Sequence, residues 1–204
     1  MSRNRIVLLA SLCAVACGGG QQEGEGAHTA AVAAPSSDGV VDSIFPMPVM
    51  LARFQAEAGP RPAGLGTRAS TSRDELVARF VDAVQDSSVS ALRELRLDMA
   101  EYVYLYFPDS HMSREPYRQP PSIGWMLTEQ NGMKGEARVL REYGGRPLGF
   151  EGYTCPAEPA IEGANTLWRD CTVRLARRTG PIRLFGTIIE RAGRYRFVSI
   201  ANDL

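Results

Sequence analysis

Residues 165–201 constrain this chain more than any other stretch. They hold three strand-like runs, TLWRDCTVRLARR, PIRLFGTIIER and RYRFVSIA, separated by Thr179-Gly180 and Ala192-Gly193. Runs rich in β-branched, aliphatic and aromatic residues, joined by two-residue breaks that contain glycine, predict hairpins. The stretch is therefore expected to form an antiparallel meander against which the rest of the domain packs. A fourth strand is expected over 148–155, after the helix stop formed by Gly144, Gly145 and Pro147.

Upstream the hydrophobic period is helical. Ser72 with Glu75 three residues later has capping-box spacing. Leu76, Phe80, Ala83 and Val84 follow at helical intervals, which predicts a helix over 73–86. Ser88 or Ser90 opens a second, short helix with Ala91, Leu92 and Leu95 facing inward. Asp98 and Glu101 repeat the cap spacing ahead of YVYLYF at 102–107. That segment reads either as a helical face or, by composition, as a buried strand; the cap favours helix. A long helix is predicted over 122–143, with Ile123, Met126, Leu127, Met133, Ala137 and Leu140 near one face. Gly132 and Gly135 each cost ~1 kcal/mol against Ala in a helix interior, so a break near Asn131 is the alternative. Helices followed by strands is an α+β order. The expectation is N-terminal helices and a long helix packed on a curved four-stranded antiparallel sheet. The sheet becomes six-stranded if 102–107 and 125–128 are strands.

The N-terminus reads as an address. Arg3 and Arg5 precede an uncharged, mostly apolar run of eleven residues, 6–16, then Cys17 and three glycines. This predicts a secretory signal over 1–16. The run is shorter than the ~20 residues that span a bilayer. The placement of Cys17 resembles a bacterial lipoprotein signal, in which cleavage exposes the cysteine for lipidation. Ala14 stands where that signal usually has Leu, so a plain secretory signal is the alternative. Residues 17–42 are rich in Gly, Ala, Ser, Gln and Glu without a hydrophobic period, and read as a flexible tether. Residues 43–71 are expected to form a short helix near 48–57 and a loop, both docked on a domain spanning 72–204. The expected location is the cell envelope, lipid-anchored through Cys17, or secreted.

Removing the signal discards Cys13 and leaves Cys17, Cys155 and Cys171. Lipidation of Cys17 leaves an even pair. Gly163 lies midway between Cys155 and Cys171, so a hairpin folded there brings them opposite one another. Export favours a disulfide between them over two free core thiols. Lys+Arg and Asp+Glu balance at 23 each, which provides no whole-protein field for nucleic acid. With two histidines and one cysteine pair, no metal site and no cofactor are expected.

Element order over 73–204 resembles the cone-shaped fold of the nuclear transport factor two-like, or cystatin-like, superfamily. That resemblance implies a cone whose mouth Tyr102, Tyr104, Tyr106, Trp125 and Trp168 would line. It also implies two classes of function, since the superfamily holds isomerases and cyclases as well as binding domains without catalysis. An isomerase needs a carboxylate base beside a hydrogen-bonding acid in an apolar pocket. Asp98 reads more simply as a helix cap, Asp170 as a strand residue facing away from Cys171, and His111 as a loop residue. No catalytic residue is assigned. The eight arginines of the meander read as a solvated, edge-protecting face. The expected partners are a membrane through an N-terminal lipid, a small ligand or envelope protein, and a second copy through the sheet. The expected function is a tethered, non-catalytic binding domain; the alternative is a small-molecule isomerase or cyclase using a carboxylate and a tyrosine.

Overall fold

The computed structural model describes residues 45–204; the signal at 1–16, Cys17 and the tether to residue 42 lie outside the described residues. The helices are α1 (Met47–Ala58), α2 (Arg73–Gln85), α3 (Val89–Glu94), α4 (Met99–Glu101) and α5 (Pro121–Tyr143). α4 runs directly into a π-helical turn, Tyr102–Tyr106, and a 3-10 turn, Phe107–Asp109. The strands are β1 (Phe150–Thr154), β2 (Ala160–Glu162), β3 (Asn165–Trp168), β4 (Thr172–Leu175), β5 (Ile188–Arg191) and β6 (Arg194–Phe197). The fold is α+β, with helices packed against antiparallel sheets that do not close into a barrel.

The helix starts follow the capping logic. Ser72 Oγ accepts from Glu75 N at 3.0 Å, while Glu75 Oε2 takes both the N–H and the hydroxyl of Thr71, at 2.7 and 2.6 Å. Ser88 Oγ accepts from Ala91 N. Asp98 and Glu101 form a complete reciprocal box: Asp98 Oδ1 accepts from Glu101 N at 2.8 Å, and Glu101 Oε2 from Asp98 N at 3.1 Å. The YVYLYF segment is helical, closing with a bond from Phe107 N to Tyr102 O. α5 runs unbroken through Gly132 and Gly135.

The meander is present, but its first run is bent into two strands and its second into a bridge and a strand. β1 pairs β4 as a two-stranded sheet, and a four-stranded sheet has the order β2-β3-β5-β6. The first predicted run breaks between β3 and β4 at Asp170, with φ +57, a left-handed conformation that Asp tolerates better than most side chains. The next run bridges Val173 through Ile182 before it continues as β5. Gly163, at φ +60, is the first central residue of the β2–β3 turn, as a type II′ turn requires. Ala192 (φ +52) and Gly193 (φ +71) both turn left-handed between β5 and β6, the type I′ pattern. Thr154 pairs with Thr172, and one step further in that register Cys155 and Cys171 form a disulfide, with Cα atoms 4.1 Å apart. The outer edge of β6 is not left open. Tyr195 exchanges two backbone bonds with Ser70, and Phe197 pairs with Leu95 and Leu97.

Two cores result, one on each side of the four-stranded sheet. Phe80, Leu92, Val139, Phe185, Ile188 and Phe197 belong to the first. Phe54, Leu97, Tyr102, Phe107, Leu167, Ile189 and Val198 belong to the second. Adjacent residues on β5, Ile188 and Ile189, point into different cores, as the two-residue period of a strand demands. Both faces of the sheet are thus buried: α2 and α3 cover one, and α1 with the π-helical turn covers the other.

α5 is turned opposite to its amphipathic reading. Ile123, Met126, Leu127 and Met133 are 42–44% exposed, and Ala137 also faces solvent; of the expected face only Leu140 packs against the first core. The buried face carries Gly124, Gly132, Gly135, Glu136 and Val139. The glycines are there because neighbours approach too closely for a Cβ. At Gly135 a Cβ would meet the Ile200 carbonyl, at Gly132 the Arg96 guanidinium, and at Gly124 the Tyr102 hydroxyl, 2.5 Å away.

Candidate functional site

A cleft of about 700 Å³ opens where α3, α4 and α5 meet the loop at Gly66–Arg68. The sequence places charge at its base. Arg96 follows α3, Glu101 closes α4, Glu129 and Glu136 lie two turns apart on α5, and Arg196 is in β6. Arg96 is 2% exposed and Arg196 6% exposed.

Each buried guanidinium is neutralised by carboxylates. Arg96 donates from Nη1 and Nη2 to the two oxygens of Glu129, at 2.9 and 3.1 Å, a bidentate fork. Its Nε lies 2.7 Å from Glu136 Oε1, a close ion pair without hydrogen-bond alignment. Arg196 Nε lies 3.2 Å from Glu101 Oε1, and its Nη1 donates to the carbonyls of Glu94 and Arg96 at 3.0 and 2.6 Å. Arg196 Nη2, against Gly66, makes no hydrogen bond among the described residues. Glu101 also accepts from Gly66 N at 2.6 Å, so this carboxylate ties the cleft loop to α4 and β6 together. Burial pushes the Glu101 and Glu136 carboxyls above 4.5, against the pull of the Gly66 N–H and Arg196 on the first and of Arg96 on the second.

Above this base the walls are mixed. Leu97, Met99 and Trp125 present apolar surface; Arg68, Arg93 and Ser90 present donors. The three carboxylates that reach the cleft are each engaged. Glu94 pairs with Arg68 at 3.3 Å, Asp98 caps α4, and Glu129 holds Arg96.

The five aromatic residues expected at a pocket mouth divide four ways. Trp125 lines the cleft and packs at a tilt against Tyr102, with ring centroids 5.2 Å apart. Tyr102 and Tyr106 are buried in the second core behind it, and burial raises both hydroxyls, that of Tyr106 to about 12. Tyr102 Oη makes no aligned hydrogen bond among the described residues, although the Thr128 hydroxyl, which donates to the Gly124 carbonyl, lies near enough to oppose that rise. Tyr104 turns away and donates to the Gln55 and Gly59 carbonyls, which fastens the end of α1. Trp168 sits against the first core, under the Arg73 guanidinium at 4.4 Å. Trp125 is thus the one of the five that meets the cleft; the other four are packing or docking residues.

The remaining candidates are also placed. Asp170 is exposed and paired with Arg183 at 3.0 Å, and His111 is exposed against the edge of Tyr117. Tyr153 donates to Asp74 at 2.6 Å at an exposed junction of β1 and α2, and burial raises its hydroxyl to about 12. The reading of the meander arginines as a solvated face is corrected for two of them. Arg196 is the cleft's buried base, and Arg191 donates to the Leu105 carbonyl and to Asn165 Oδ1. Among the described residues no cluster of three or more His, Cys, Asp or Glu is placed to hold a metal, and no helix is long and apolar enough to cross a membrane.

Sequence reasoning missed the network of Arg96, Glu101, Glu129, Glu136 and Arg196. One signal for it was present. Glu129, Gly132 and Glu136 recur at three- and four-residue steps, which places two acids and a glycine on one helical face. Comparisons with protein-family models, curated proteins and solved structures find no match to this chain.

Proposed function

We propose that the chain is an exported, membrane-tethered binding domain whose cleft takes a small polar ligand without transforming it. The observation that carries this is the state of the cleft's carboxylates. A general base needs a carboxylate free to accept a proton. Here Glu94, Asp98 and Glu129 are held by Arg68, a helix-capping bond and Arg96. Such an arrangement fixes the shape and charge of the walls. The ligand class follows from those walls: an anionic or acceptor-rich group toward Arg93 and Arg196 Nη2, and a flat apolar part against Trp125. The Cys155–Cys171 disulfide supports an oxidising compartment. The lipoprotein-like start supports a lipid on Cys17. Helices followed by a bent antiparallel meander support the cone-fold assignment.

The test uses the two tryptophans. Titration with a panel of aromatic carboxylates is expected to change emission saturably. The change should persist in Trp168→Phe and vanish in Trp125→Phe. No response across the panel, or a response that follows Trp168, would remove the cleft reading. Turnover of a test ketone would replace binding by catalysis. Mass analysis of the mature N-terminus tests the anchor separately.

A further inference from the structure

The outer face of α5 has no partner in the fold. Ile123, Met126, Leu127 and Met133 stand 42–44% exposed along it. The same face continues with Lys134, Arg138 and Arg141, all exposed. Two of the helix's three acids are withdrawn: Glu129 and Glu136 turn inward onto Arg96, and Glu142 stays exposed near its C-terminal end. The helix therefore shows solvent an apolar half and a basic half. An amphipathic surface of this kind lies at the boundary of an anionic bilayer, with apolar side chains among the acyl chains and cationic ones at the headgroups.

The course of the chain points the same way. Phe45 and Pro46 share a groove with Gln119 and Pro120, which lead into α5. The described chain therefore begins beside the N-terminal end of α5. Cys17 lies 28 residues earlier than Phe45. On the tether reading, a polar chain of that length spans roughly 30 Å. A domain anchored at Cys17 is thus held with the α5 face within reach of the membrane. A second copy docked here would bring only one exposed acid from α5, Glu142, to meet Lys134, Arg138 and Arg141.

We infer that the outer face of α5 is a second membrane contact, which seats the tethered domain on a bilayer of anionic phospholipid. The inference rests on the exported, tethered reading above. With the apolar half inserted, the cleft on the opposite side of α5 stays open to solvent.

The test is a local one, on the full chain with Cys13→Ser and Cys17→Ser. An environment-sensitive fluorophore is attached at Met126→Cys, or as a control at Ile161→Cys, which is 68% exposed on β2. On vesicles of phosphatidylglycerol and phosphatidylcholine the label at 126 is expected to shift to the blue and brighten. The response should be weaker on phosphatidylcholine alone, and the label at 161 should stay silent. Leu127→Glu is expected to raise the lipid concentration needed by at least about tenfold, the loss of one buried leucine. A silent label at 126, or an equal response at 161, overturns the inference. So does a blue shift that grows with protein concentration without lipid, since that indicates a second copy. The anchor reading fails separately. An unlipidated mature start with the response at 126 intact upholds this contact and removes the anchor. A lipidated start with a silent label removes this contact alone.

Discussion

Tyr102 carries a hydroxyl that makes no aligned hydrogen bond among the described residues, in a core of rings. The residue is 0% exposed and touches Tyr106, Phe107 and Trp125. An unsatisfied buried hydroxyl costs about 1–3 kcal/mol. Tyr102→Phe is therefore expected to raise stability by about 1 kcal/mol in urea unfolding. Gly124→Ala is expected to lower it by about 1–3 kcal/mol, because the new Cβ meets that hydroxyl, and to lower it less when Tyr102 is already Phe. Additive effects would contradict the contact. At this scale the legible residues were those with short-range logic. Ser72, Ser88 and Asp98 were readable as caps because their partners lie three residues away. Cys155 and Cys171 were readable as a pair because a turn at Gly163 brings their segments together, although it is the β1–β4 register that sets them opposite one another. Arg196 was not readable. It is one of several arginines in its run, and its partners Glu94, Arg96 and Glu101 are about a hundred residues distant in the chain.

The elements themselves were largely legible, and the orientation of one was not. α5 and α2 begin and end close to where cap, glycine and proline signals place them. The apolar positions of α5 nevertheless face outward. Periodicity reports that a helix has two faces, and leaves open which one packs. Close approach through Gly124, Gly132 and Gly135 decided it, and it brought Glu129 and Glu136 onto Arg96. This inversion has a signature in pH. The Glu101 and Glu136 carboxyls are held above 4.5, so the folded state binds their protons more tightly than the unfolded chain does. Their contribution is full below the unfolded value and shrinks as pH rises through the folded one. Glu75 has the opposite sign: bonds from Thr71 lower it, so its contribution is present above the unfolded value and is lost as pH falls. Carbon-13 titration of the glutamate carboxyls is expected to place Glu101 and Glu136 above the ordinary glutamate range and Glu75 below them. The reverse order would contradict the burial of the network.

At the scale of the whole molecule, the two cores share one sheet and the cleft lies where the helices of both sides meet it. Replacing both Cys155 and Cys171 by Ala frees a cross-link with a sequence separation of 16. The expected cost is about 3 kcal/mol in the chain-entropy view, read as a lower urea midpoint. An unchanged midpoint would show that the bent meander needs no pin. The bends at Asp170 and after Ile182 were invisible in the sequence because the apolar pattern continues across them. The claim on which cleft and membrane face both depend is that α5 packs through its glycines. Unfolding free energies of Gly135→Ala and Leu127→Gln test it side by side. Helix propensity and amphipathicity alone would have Gly135→Ala stabilise by about 1 kcal/mol and Leu127→Gln destabilise. The predicted result is the opposite order: Leu127→Gln within about 0.5 kcal/mol of the parent, as at an exposed site, and Gly135→Ala worse by at least about 2 kcal/mol. A stable Gly135→Ala beside a crippled Leu127→Gln would contradict the account.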